Sequence, residues 1–538
     1  MSARSATPTP ATSRVMTEAL GGSPLSLAVQ TRRLPSSLQP GWPSSQEEWQ
    51  AHVERVRRAQ VGDRDTWLDV IRPALAPSGA AAQRLDRVVA GRGIVVTTGQ
   101  QAGMFGGPLY TLAKAITSLC LADAIEQKLG IPAAPVFWAA TDDADFLESS
   151  VAPVADADGL QVLKLEKRPP AGTLLSLAPL DGAELKPLLG RLRKACGSAA
   201  HAAYFELART AFTSERTLGD AYVRLLRGLL EPLGIAVMDS SHQAYRDAAR
   251  PILAEALRRA PEIARATSER GAAIRQAGFE PQVEDDRGLS LVFVLEGGVK
   301  RRLTVEEGRR YARADTSRSA LLPNVLLRPL VERELFPTVC YVAGPGELAY
   351  FTQTNAVAGA LGRDPVVGVP RWSCTIIEPF AERALRRLGV QYHEVRDIHA
   401  LERRLATAAL PDNVVAAWKR LQEQVRDSVQ VLGTAVRDAS LMPPPVIEGL
   451  ERSLAHRLGR AERRLIAAAK RRDERVRRDL EVVSAALFPM GKRQERVLNY
   501  IPMLTRGGEA LVEEMKRAAA THVLSLLHAE RAEPVAAR

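Results

Sequence analysis

The chain contains few cysteines and no long apolar segment, and both absences limit its class. Its four cysteines, in 538 residues, are far apart and show no C-x-x-C spacing (Cys120, Cys196, Cys340 and Cys374). These cysteines therefore indicate neither a disulfide framework nor a zinc site, and a reducing compartment is favoured. No stretch approaches the roughly 18 apolar residues that a membrane-spanning helix needs. We therefore predict a cytoplasmic protein without a membrane partner.

Standard catalytic and nucleotide-binding motifs are also missing. The most glycine-rich turn does not have G-x-G-x-x-G spacing, and no G-K-[ST] sequence is present. None of the eight histidines falls in a candidate motif, which argues against a histidine-based triad and a histidine metal cluster. We therefore predict no resident metal site.

The balance of charge is basic, with 73 Lys and Arg against 62 Asp and Glu and a net charge of +11. The arginines are spread along many predicted helices, so we interpret them as solvated helix faces and predict no nucleic-acid partner. A basic surface would also suit a small anionic substrate. The first 45 residues are rich in Ser, Thr, Pro and Arg and poor in acidic residues. A transit peptide can share this composition, but without an apolar signal core we interpret residues 1–45 as a disordered tail.

Local patterns predict a parallel β-sheet interleaved with helices. GIVVTT (93–98) is a β-branched run typical of a buried strand, residues 108–130 form an amphipathic helix with proline in its first turn, and residues 131–146 add a second strand. Strand, helix and strand within about 50 residues make a βαβ unit, which implies a parallel sheet. Further segments extend the sheet, namely GIAVMDSS (234–241), NVLLRPLVE (324–332) and TVCYVAGPGELAYF (338–351).

The C-terminal third has the pattern of a coiled coil. From Trp418, and again from Ile447, apolar residues recur at spacings of three and four with charged flanks. Pro443, Pro444 and Pro445 separate the two series, so we predict an antiparallel helical hairpin. The coiled coil also offers a surface for a homodimer.

The stretch TTGQQAGMFGGPLYTLAK (97–114) is the first candidate site. A turn that leaves a parallel strand and enters a helix places backbone N–H groups at the positive end of the helix dipole, where anions bind. Its glycines allow close backbone approach, and the amides of Gln100 and Gln101 could read the polar edge of a ligand. A tight turn whose glutamines cap neighbouring backbone explains the same residues, and the residues alone leave both interpretations open.

Two further motifs lie at predicted strand ends. The acidic run DDAD (142–145), with Glu148 nearby, ends the second strand, where open α/β sheets bind ligands. Its carboxylates could hold Mg²⁺, anchor an amine or act as a general base, although a solvated helix-capping turn is the alternative. GPGE (344–347) repeats the strand, glycine turn and helix design. Two such turns in one sheet favour a shared ligand crevice.

Six segments resemble, in sequence and in order, the bacillithiol biosynthesis cysteine-adding enzymes. They are VVTTGQQAGMFGGPLYTLAKAI, PVFWAATDDADF, LLPNVLLRPLVERELFPT, YVAGPGELAYFTQ, VVGVPRWS and LFPMGKRQERVLNYI, and they run from about residue 90 to 505. The resemblance implies a Rossmann-like core with two connecting insertions, similar to class I aminoacyl-tRNA synthetases and pantothenate synthetases. It also implies the last step of bacillithiol synthesis, which joins cysteine to the amine of glucosaminyl malate.

An amide made from a free carboxylate needs activation, so the resemblance leads us to expect ATP and Mg²⁺. The expected small-molecule partners are therefore cysteine, glucosaminyl malate and a nucleotide. The H-x-G-H and K-M-S-K-S signatures of the synthetases are absent. The nucleotide requirement is inferred from the chemistry.

Carried over residue by residue, the resemblance implies catalytic roles for Lys114, Asp143 and Asp145. It implies substrate- or nucleotide-binding roles for a larger set (Gly99, Gln100, Gln101, Gly107, Tyr110, Thr111, Asp142, Asn324, Arg328, Gly344, Gly346, Glu347, Tyr350 and Arg371). A dense polar patch follows the heptads, and from the residues alone an exposed, charged hairpin base explains it slightly better than a site. Gln494, Glu495, Arg496 and Asn499 in that patch match the family's coiled-coil motif, which favours a functional role.

Two places depart from the family pattern. Residues 142–145 read Asp-Asp-Ala-Asp where the family commonly has Glu-Asp-His-Asp, so Ala144 stands in place of a histidine. Glu332 and Arg333 stand where Gln and Asp are common. Two hypotheses therefore remain beside a cysteine ligase. One is a non-catalytic or redirected homologue that binds a nucleotide or thiol metabolite, and the other is a coiled-coil interaction protein, which leaves the glycine turns unexplained.

The predicted fold is α/β, with a Rossmann-like parallel-sheet core, inserted connecting subdomains and a C-terminal antiparallel α-helical coiled coil. The folded part begins where Ser45 and Glu48 form a capping-box pattern. The predicted boundaries are a tail (1–45), core (46–150), inserted subdomain (151–210), core (211–259), small β-rich insertion (260–318), core (319–385), coiled-coil domain (386–515) and C-terminal helix and tail (516–538).

Overall fold

The computed structural model describes residues 12–59, 66–198, 201–284, 288–313 and 320–527. Over these residues the strands are β1 (Arg14–Thr17), β2 (Ile94–Gln101), β3 (Ala133–Ala140), β4 (Val151–Asp156), β5 (Gly159–Lys164), β6 (Ala236–Asp239), β7 (Leu289–Glu296), β8 (Val299–Thr304), β9 (Ala320–Pro323), β10 (Thr338–Ala343), β11 (Gly368–Pro370) and β12 (Cys374–Ile377). The α-helices are α1 (Pro24–Gln30), α2 (Gln46–Arg58), α3 (Trp67–Leu75), α4 (Gly79–Ala90), α5 (Leu109–Leu129), α6 (Phe146–Ser149), α7 (Gly182–Cys196), α8 (Ala202–Ala211), α9 (Leu218–Leu230), α10 (Gln243–Arg258), α11 (Ala260–Gln276), α12 (Val305–Arg313), α13 (Arg328–Leu335), α14 (Pro345–Ala360), α15 (Pro379–Leu388), α16 (Ile398–Ala408), α17 (Asp412–Asp438), α18 (Pro444–Arg472), α19 (Glu474–Leu487) and α20 (Ile501–Leu527).

Five parallel strands form the central sheet, in the order β11, β10, β2, β3 and β6. The chain runs from β2 through β3 to β6 on one side, then returns to the other side of β2 for β10 and β11. A topological switch point therefore lies between the carboxyl ends of β2 and β10, where open α/β sheets bind ligands. The predicted parallel α/β sheet is confirmed.

Apolar residues cover both faces of this sheet, which is why its strands read as continuous apolar runs. Ala134, Val136 and Trp138, every second residue of β3, belong to the main apolar core together with residues of α10 and α13. The helix α5 packs against β2 and β3 and is itself covered by α20. It begins after Pro108 and ends at Gly130, whose φ of 66° closes the helix, as the sequence predicts.

The predicted disordered tail is wrong for residues 12–45, and residues 1–11 lie outside the described residues. The strand β1 pairs antiparallel with β12, and the side chain of Ser23 caps α1. The chain from α1 onwards then buries a widely spaced set of apolar side chains (Leu25, Val29, Leu34, Leu38 and Trp42). Such burial stabilises the segment despite its Pro- and Ser-rich composition. The capping pattern that follows is confirmed, because Ser45 accepts a hydrogen bond from the N–H of Glu48.

Both insertions mix strands and helices. The first contains the β4–β5 hairpin, α7 and α8. The second contains β7 and β8 but also the helices α11 and α12, so it is less β-rich than predicted, and its sheet, in the order β8, β7, β9, includes a strand just beyond the predicted end at residue 318. The segment 324–332, predicted as sheet-associated, passes into the helix α13. Pro329 in the first turn fixes a helical φ, and the Asn324 side chain accepts hydrogen bonds from the N–H groups of Leu326 and Leu327.

The described chain divides into two compact units. The coiled-coil unit comprises residues 156–160 and 379–492, and the sheet unit comprises the rest of the described residues. Within the coiled-coil unit α17 packs against α18, and Pro443 precedes α18, as predicted for the hairpin. The second apolar series is interrupted at Asp473, which caps α19. Residues 493–515, predicted to continue the coiled-coil domain, belong to the sheet unit because α20 packs on α5. No described helix is long and apolar enough to cross a membrane.

Candidate functional site

Two strand–turn–helix units meet at the topological switch point. After β2, a 3-10 turn (Met104–Gly106) leads into α5, and after β10 the residue Gly344 directly precedes α14. Because β2 and β10 are neighbours, the N-termini of both helices lie at the same sheet edge. The dipoles of the two helices make this edge favourable for anions, although the N–H of Leu109 already bonds to the carbonyl of Leu498 and that of Gly344 to Glu347.

The glycines of the first turn are required by close contacts. A Cβ on Gly99 would lie 2.7 Å from the carbonyl oxygen of Trp138 on the neighbouring strand. Gly106 has a φ of 92°, and a Cβ there would collide with the hydroxyl of Tyr500. The turn therefore keeps its shape only with glycine at these positions.

A buried ion pair joins the two turns. The Nζ atom of Lys114 lies 2.6 Å from Oε2 of Glu347 and donates hydrogen bonds to the carbonyl of Gly99 (2.7 Å) and to Oε1 of Gln100 (3.3 Å). Glu347 also accepts hydrogen bonds from the Gly344 N–H (2.6 Å) and the Tyr341 hydroxyl (2.8 Å). Burial raises the pKa of Glu347, but the Lys114 ammonium and the Gly344 N–H outweigh it and lower the pKa. The pair fixes the two turns relative to each other.

A second buried ion pair holds Arg371. Its guanidinium donates bidentate hydrogen bonds of 2.7 and 2.8 Å to Glu495 and lies 5.6 Å from the ring centroid of Tyr110. Burial raises the pKa of Tyr110 to about 12, so its hydroxyl stays protonated at neutral pH. Within the part of the chain that the structure describes, Arg371 Nε is buried without a hydrogen-bond partner, as is Oγ1 of Thr111 in the first turn of α5. Buried polar atoms without partners are uncommon in folded proteins.

Arg328 lies on the other side of the switch point. It donates hydrogen bonds to Glu332 (3.2 Å) and to the Tyr341 hydroxyl (3.3 Å), and its guanidinium lies 5.7 Å from the ring centroid of Trp138. Glu332 is buried, accepts a hydrogen bond from Thr97 and has a pKa that burial raises to about 7. Tyr341 therefore connects Arg328 to Glu347 through its hydroxyl. The buried Tyr350 faces the same group of charges, and burial is the main reason that its pKa rises.

The acidic run forms a turn at the end of β3. Asp142 is buried and accepts a 2.5 Å hydrogen bond from Ser240, and burial raises its pKa. Asp143 is half-buried and accepts hydrogen bonds from Gln101, at the end of β2, and from the N–H of Ala144. Asp145 is exposed and caps the short helix α6. The three carboxylates thus differ in surroundings, and Asp143 is the one tied to the glycine turn.

The four residues of the polar patch that follows the heptads (Gln494, Glu495, Arg496 and Asn499) lie in the sheet unit. Arg496 is exposed and the other three are buried. Gln494 exchanges two hydrogen bonds with the backbone of Ile376, at 2.7 and 2.8 Å. Asn499 donates hydrogen bonds to the carbonyls of Phe105 (2.8 Å) and Gly107 (2.9 Å) in the first glycine turn. Phe105 has a φ of 51°, a strained conformation that Asn499 helps to hold. Arg496 is exposed, and its positive charge opposes the rise in the pKa of Tyr110.

The structure brings most predicted residues to one edge of the sheet but separates a few. Asn324 uses its side chain to begin α13, and a Cβ on Gly346 would meet open space. Two residues near the site were not predicted from the sequence. Tyr341 donates a hydrogen bond to Glu347, and Lys300 donates one to the carbonyl of Asp142. Tyr341 lies inside an apolar strand, and Lys300 lies in a hairpin far along the chain. The sequence around each residue contains no motif that would mark it as part of a site.

Models of two protein domains match this chain. One is described as the N-terminal Rossmann-like domain of bacillithiol biosynthesis BshC and matches residues 40–371, and the other is its C-terminal coiled-coil domain and matches residues 374–524. A relative from Solibacter usitatus, named "Putative cysteine ligase BshC", is 30% identical over 459 residues, which cover 81% of this chain and 84% of the relative. A relative of the same name from Heliobacterium modesticaldum is 31% identical over 468 residues, covering 82% and 84%.

Proposed function

This chain belongs to the BshC family of bacillithiol biosynthesis, and from this we propose that it is a cytoplasmic ligase that joins L-cysteine to the amine of glucosaminyl malate. The product is bacillithiol, and the new bond is an amide between the amine nitrogen and the cysteinyl carbonyl carbon. The reaction proceeds through an activated cysteinyl carboxylate, because a free carboxylate does not react with an amine at a useful rate. The predicted alternative, a non-catalytic or redirected homologue, is an outcome of the test below.

One observation carries the proposal, namely the separation of charge at the switch point. Lys114, Arg328 and Arg371 lie beside the two helix N-termini, whereas Asp143 and Asp145 belong to the acidic turn at the end of the next strand. A ligase of this kind must hold anionic groups of the activated acid and of malate while it holds an amine. Lys114, Arg328 and Arg371 are each paired with a buried carboxylate, so the anionic groups are proposed to bind the remaining donor Nε of Arg371 and the exposed Arg496. The acidic turn suits the amine.

The amine must lose a proton as the amide forms. The new C–N bond forms as the bond from the carbonyl carbon to its activating group breaks, and that group leaves with its electron pair. Asp143 or Asp145 accepts the proton in this proposal, since a carboxylate placed beside the attacking nitrogen is an adequate general base. The hydrogen bond from Gln101 then orients Asp143 relative to the glycine turn.

We include ATP and Mg²⁺ in the proposal. Bound ATP would supply the group that activates the cysteine carboxylate. Arg371 Nε, Thr111 Oγ1 and the exposed Arg496 offer donors for phosphate oxygens, and the one of Asp143 and Asp145 that does not accept the proton offers an oxygen for Mg²⁺. Within the described ranges no three His, Cys, Asp or Glu side chains are grouped to hold a metal. Mg²⁺ commonly takes only one or two carboxylates, with phosphates and water as its other ligands, so the donor set fits it.

The coiled-coil unit supports a further part of the proposal, a homodimer. Large apolar side chains near the bend between α17 and α18 are exposed, among them Val431 (69%) and Leu441 (73%). Exposed apolar residues grouped in this way commonly mark protein contacts. The molar mass from light scattering tests this part, and a monomeric mass at micromolar concentration would refute it.

The test of the reaction incubates the purified protein with glucosaminyl malate, cysteine and ATP·Mg²⁺ and follows bacillithiol by mass spectrometry. We expect product from the unaltered protein, and strongly reduced product from Asp143→Asn and Lys114→Met. Asp247→Asn is the matched control, because Asp247 is exposed on α10 and accepts a hydrogen bond from Gln243 of the same helix. Normal binding of the substrates by calorimetry without product would refute the ligase and favour a redirected homologue.

A further inference from the structure

Both insertions hold the acidic turn from outside the sheet. The N–H of Leu175 donates a 2.8 Å hydrogen bond to the carbonyl of Asp143, and the N–H of Ser176 donates a 3.0 Å bond to the carbonyl of Thr141. These contacts come from the first insertion, more than 30 residues along the chain. The backbone of the turn is therefore fixed by chain segments that the βαβ unit itself does not contain.

The second insertion adds a cation to the same turn. Lys300, on β8, donates a 3.0 Å hydrogen bond from Nζ to the carbonyl of Asp142, and the ammonium lies 4.6 Å from the ring centroid of Phe293. The backbone N–H of Lys300 bonds to the carbonyl of Gly172, at 3.1 Å, in the first insertion. The β7–β8 hairpin, the loop near Gly172 and the acidic turn thus form one connected assembly.

The position of this ammonium matters for the neighbouring carboxylates. The carbonyl that Lys300 binds belongs to the peptide between Asp142 and Asp143, so the contact fixes the plane of that peptide. Asp143 follows directly, and its carboxylate reaches Gln101 at the end of β2. A change in the orientation of this peptide would move the Asp143 carboxylate away from the crevice.

We propose that Lys300 is a positioning residue for the acidic turn, which makes the β7–β8 hairpin part of the active site. The inference rests on the proposed function, in which Asp143 handles the substrate amine. Lys300 acts through Asp143, by holding the 142–143 peptide through the carbonyl of Asp142. The hairpin is then a specificity element for the amine substrate as well as a structural insertion.

The test compares Lys300→Met with Lys300→Arg and with Arg301→Met. The methionine keeps the unbranched apolar stem of the side chain and removes its charge and donors. Arg301 lies on the same strand and pairs with Glu296 and Glu307, so it is the matched control. We expect Lys300→Met to lower kcat by about tenfold or more and to raise KM for glucosaminyl malate while KM for cysteine stays unchanged. Lys300→Arg should restore much of kcat, and Arg301→Met should resemble the unaltered protein.

A second measurement does not depend on activity. Hydrogen–deuterium exchange of residues 141–149 should be faster in Lys300→Met than in Arg301→Met and should be slowed again in Lys300→Arg. Equal exchange in the methionine variants, or equal loss of kcat in both, would overturn the role of Lys300. Absence of product from the unaltered protein would refute the ligase alone, because the exchange measurement still decides the positioning role. If Lys300→Met does not fold, Lys300→Gln replaces it in both measurements.

Discussion

Replacement of Glu495 by Gln should be the most destabilising single-atom change at this site. Glu495 and Arg371 are each only 2% exposed, and their side chains share two hydrogen bonds of 2.7 and 2.8 Å. Glu495 also accepts a 2.9 Å bond from the hydroxyl of Ser373. Glutamine fills the same volume but presents an NH₂ group to the guanidinium and removes the counter-charge. Arg371 would then be a buried cation without a counter-charge, although its 2.8 Å hydrogen bond to the carbonyl of Trp372 would remain.

The magnitude follows from the burial of the pair. Removal of one partner of a buried ion pair costs about 3–5 kcal/mol, since the other charge stays desolvated. That loss is a large share of the roughly 5–15 kcal/mol that stabilises a typical folded protein. Urea unfolding of the unaltered protein and of Glu495→Gln measures the difference. A cycle that includes Arg371→Met and the double variant isolates the coupling between the two side chains.

The neighbouring residue provides the control. Arg496 is exposed, so Arg496→Gln should change the free energy of unfolding by no more than about 0.5 kcal/mol. A loss of less than about 1 kcal/mol in Glu495→Gln, the value typical of an exposed pair, would refute the reasoning. It would mean that water reaches the pair in solution.

The pH dependence of the free energy of unfolding gives an independent check on the contribution of Glu495. Burial raises the pKa of Glu495, but Arg371 and the Ser373 hydroxyl outweigh burial and lower the pKa below its ordinary 4.5. A carboxyl whose pKa is lower in the folded state stabilises the fold above its unfolded pKa, and this contribution is lost as pH falls through the folded pKa. The difference between the unaltered protein and Glu495→Gln should therefore be full at pH 7 and shrink below about pH 4.5.

Further predictions concern the turns and the buried acid. Gln100→Ala should abolish bacillithiol formation without lowering the melting temperature, and a large fall in stability would return Gln100 to a structural role. Asn499→Ala should cost about 1–3 kcal/mol in urea unfolding, because buried carbonyls of the glycine turn lose their donor; an unchanged midpoint would contradict this. Gly106→Ala should reduce the soluble yield through the clash with Tyr500, and a normal yield would show that the turn can relax. Because burial raises the pKa of Glu332 to about 7 in the folded state, the free energy of unfolding should fall as pH rises from about 4.5 to 7. Glu332→Gln should flatten that pH dependence in thermal melts.

The sequence predicts the parts of this fold that short-range physics determines. The strand β2, the turn and the helix α5 follow one another within 40 residues, and proline, glycine and apolar periodicity mark each boundary. The order of the sheet strands could not be predicted from these patterns, because pairing of β10 beside β2 joins residues more than 200 positions apart. The resemblance to a family implied a Rossmann-like core but gave no strand order.

The segment 12–45 illustrates the opposite case. Its composition resembles that of disordered tails, although Ser23 and Pro24 and the spacing of Leu25, Ala28 and Val29 indicate the short helix α1. Leu25, Leu38 and Trp42 are nevertheless buried. Burial of this kind depends on a surface that is made elsewhere in the chain, so a local pattern contains no sign of it.

The motif around residues 494–499 shows how far residue identity alone can predict a role. The family resemblance marks four polar residues there, and the structure buries Gln494, Glu495 and Asn499 while it leaves Arg496 exposed. The buried three hold β12, Arg371 and the first glycine turn through hydrogen bonds. A polar residue can thus matter to a site because it contacts a ligand or because it holds a residue that does. Only burial and partners separate these cases, and on that basis Arg496 is the residue of the four that can itself reach a substrate.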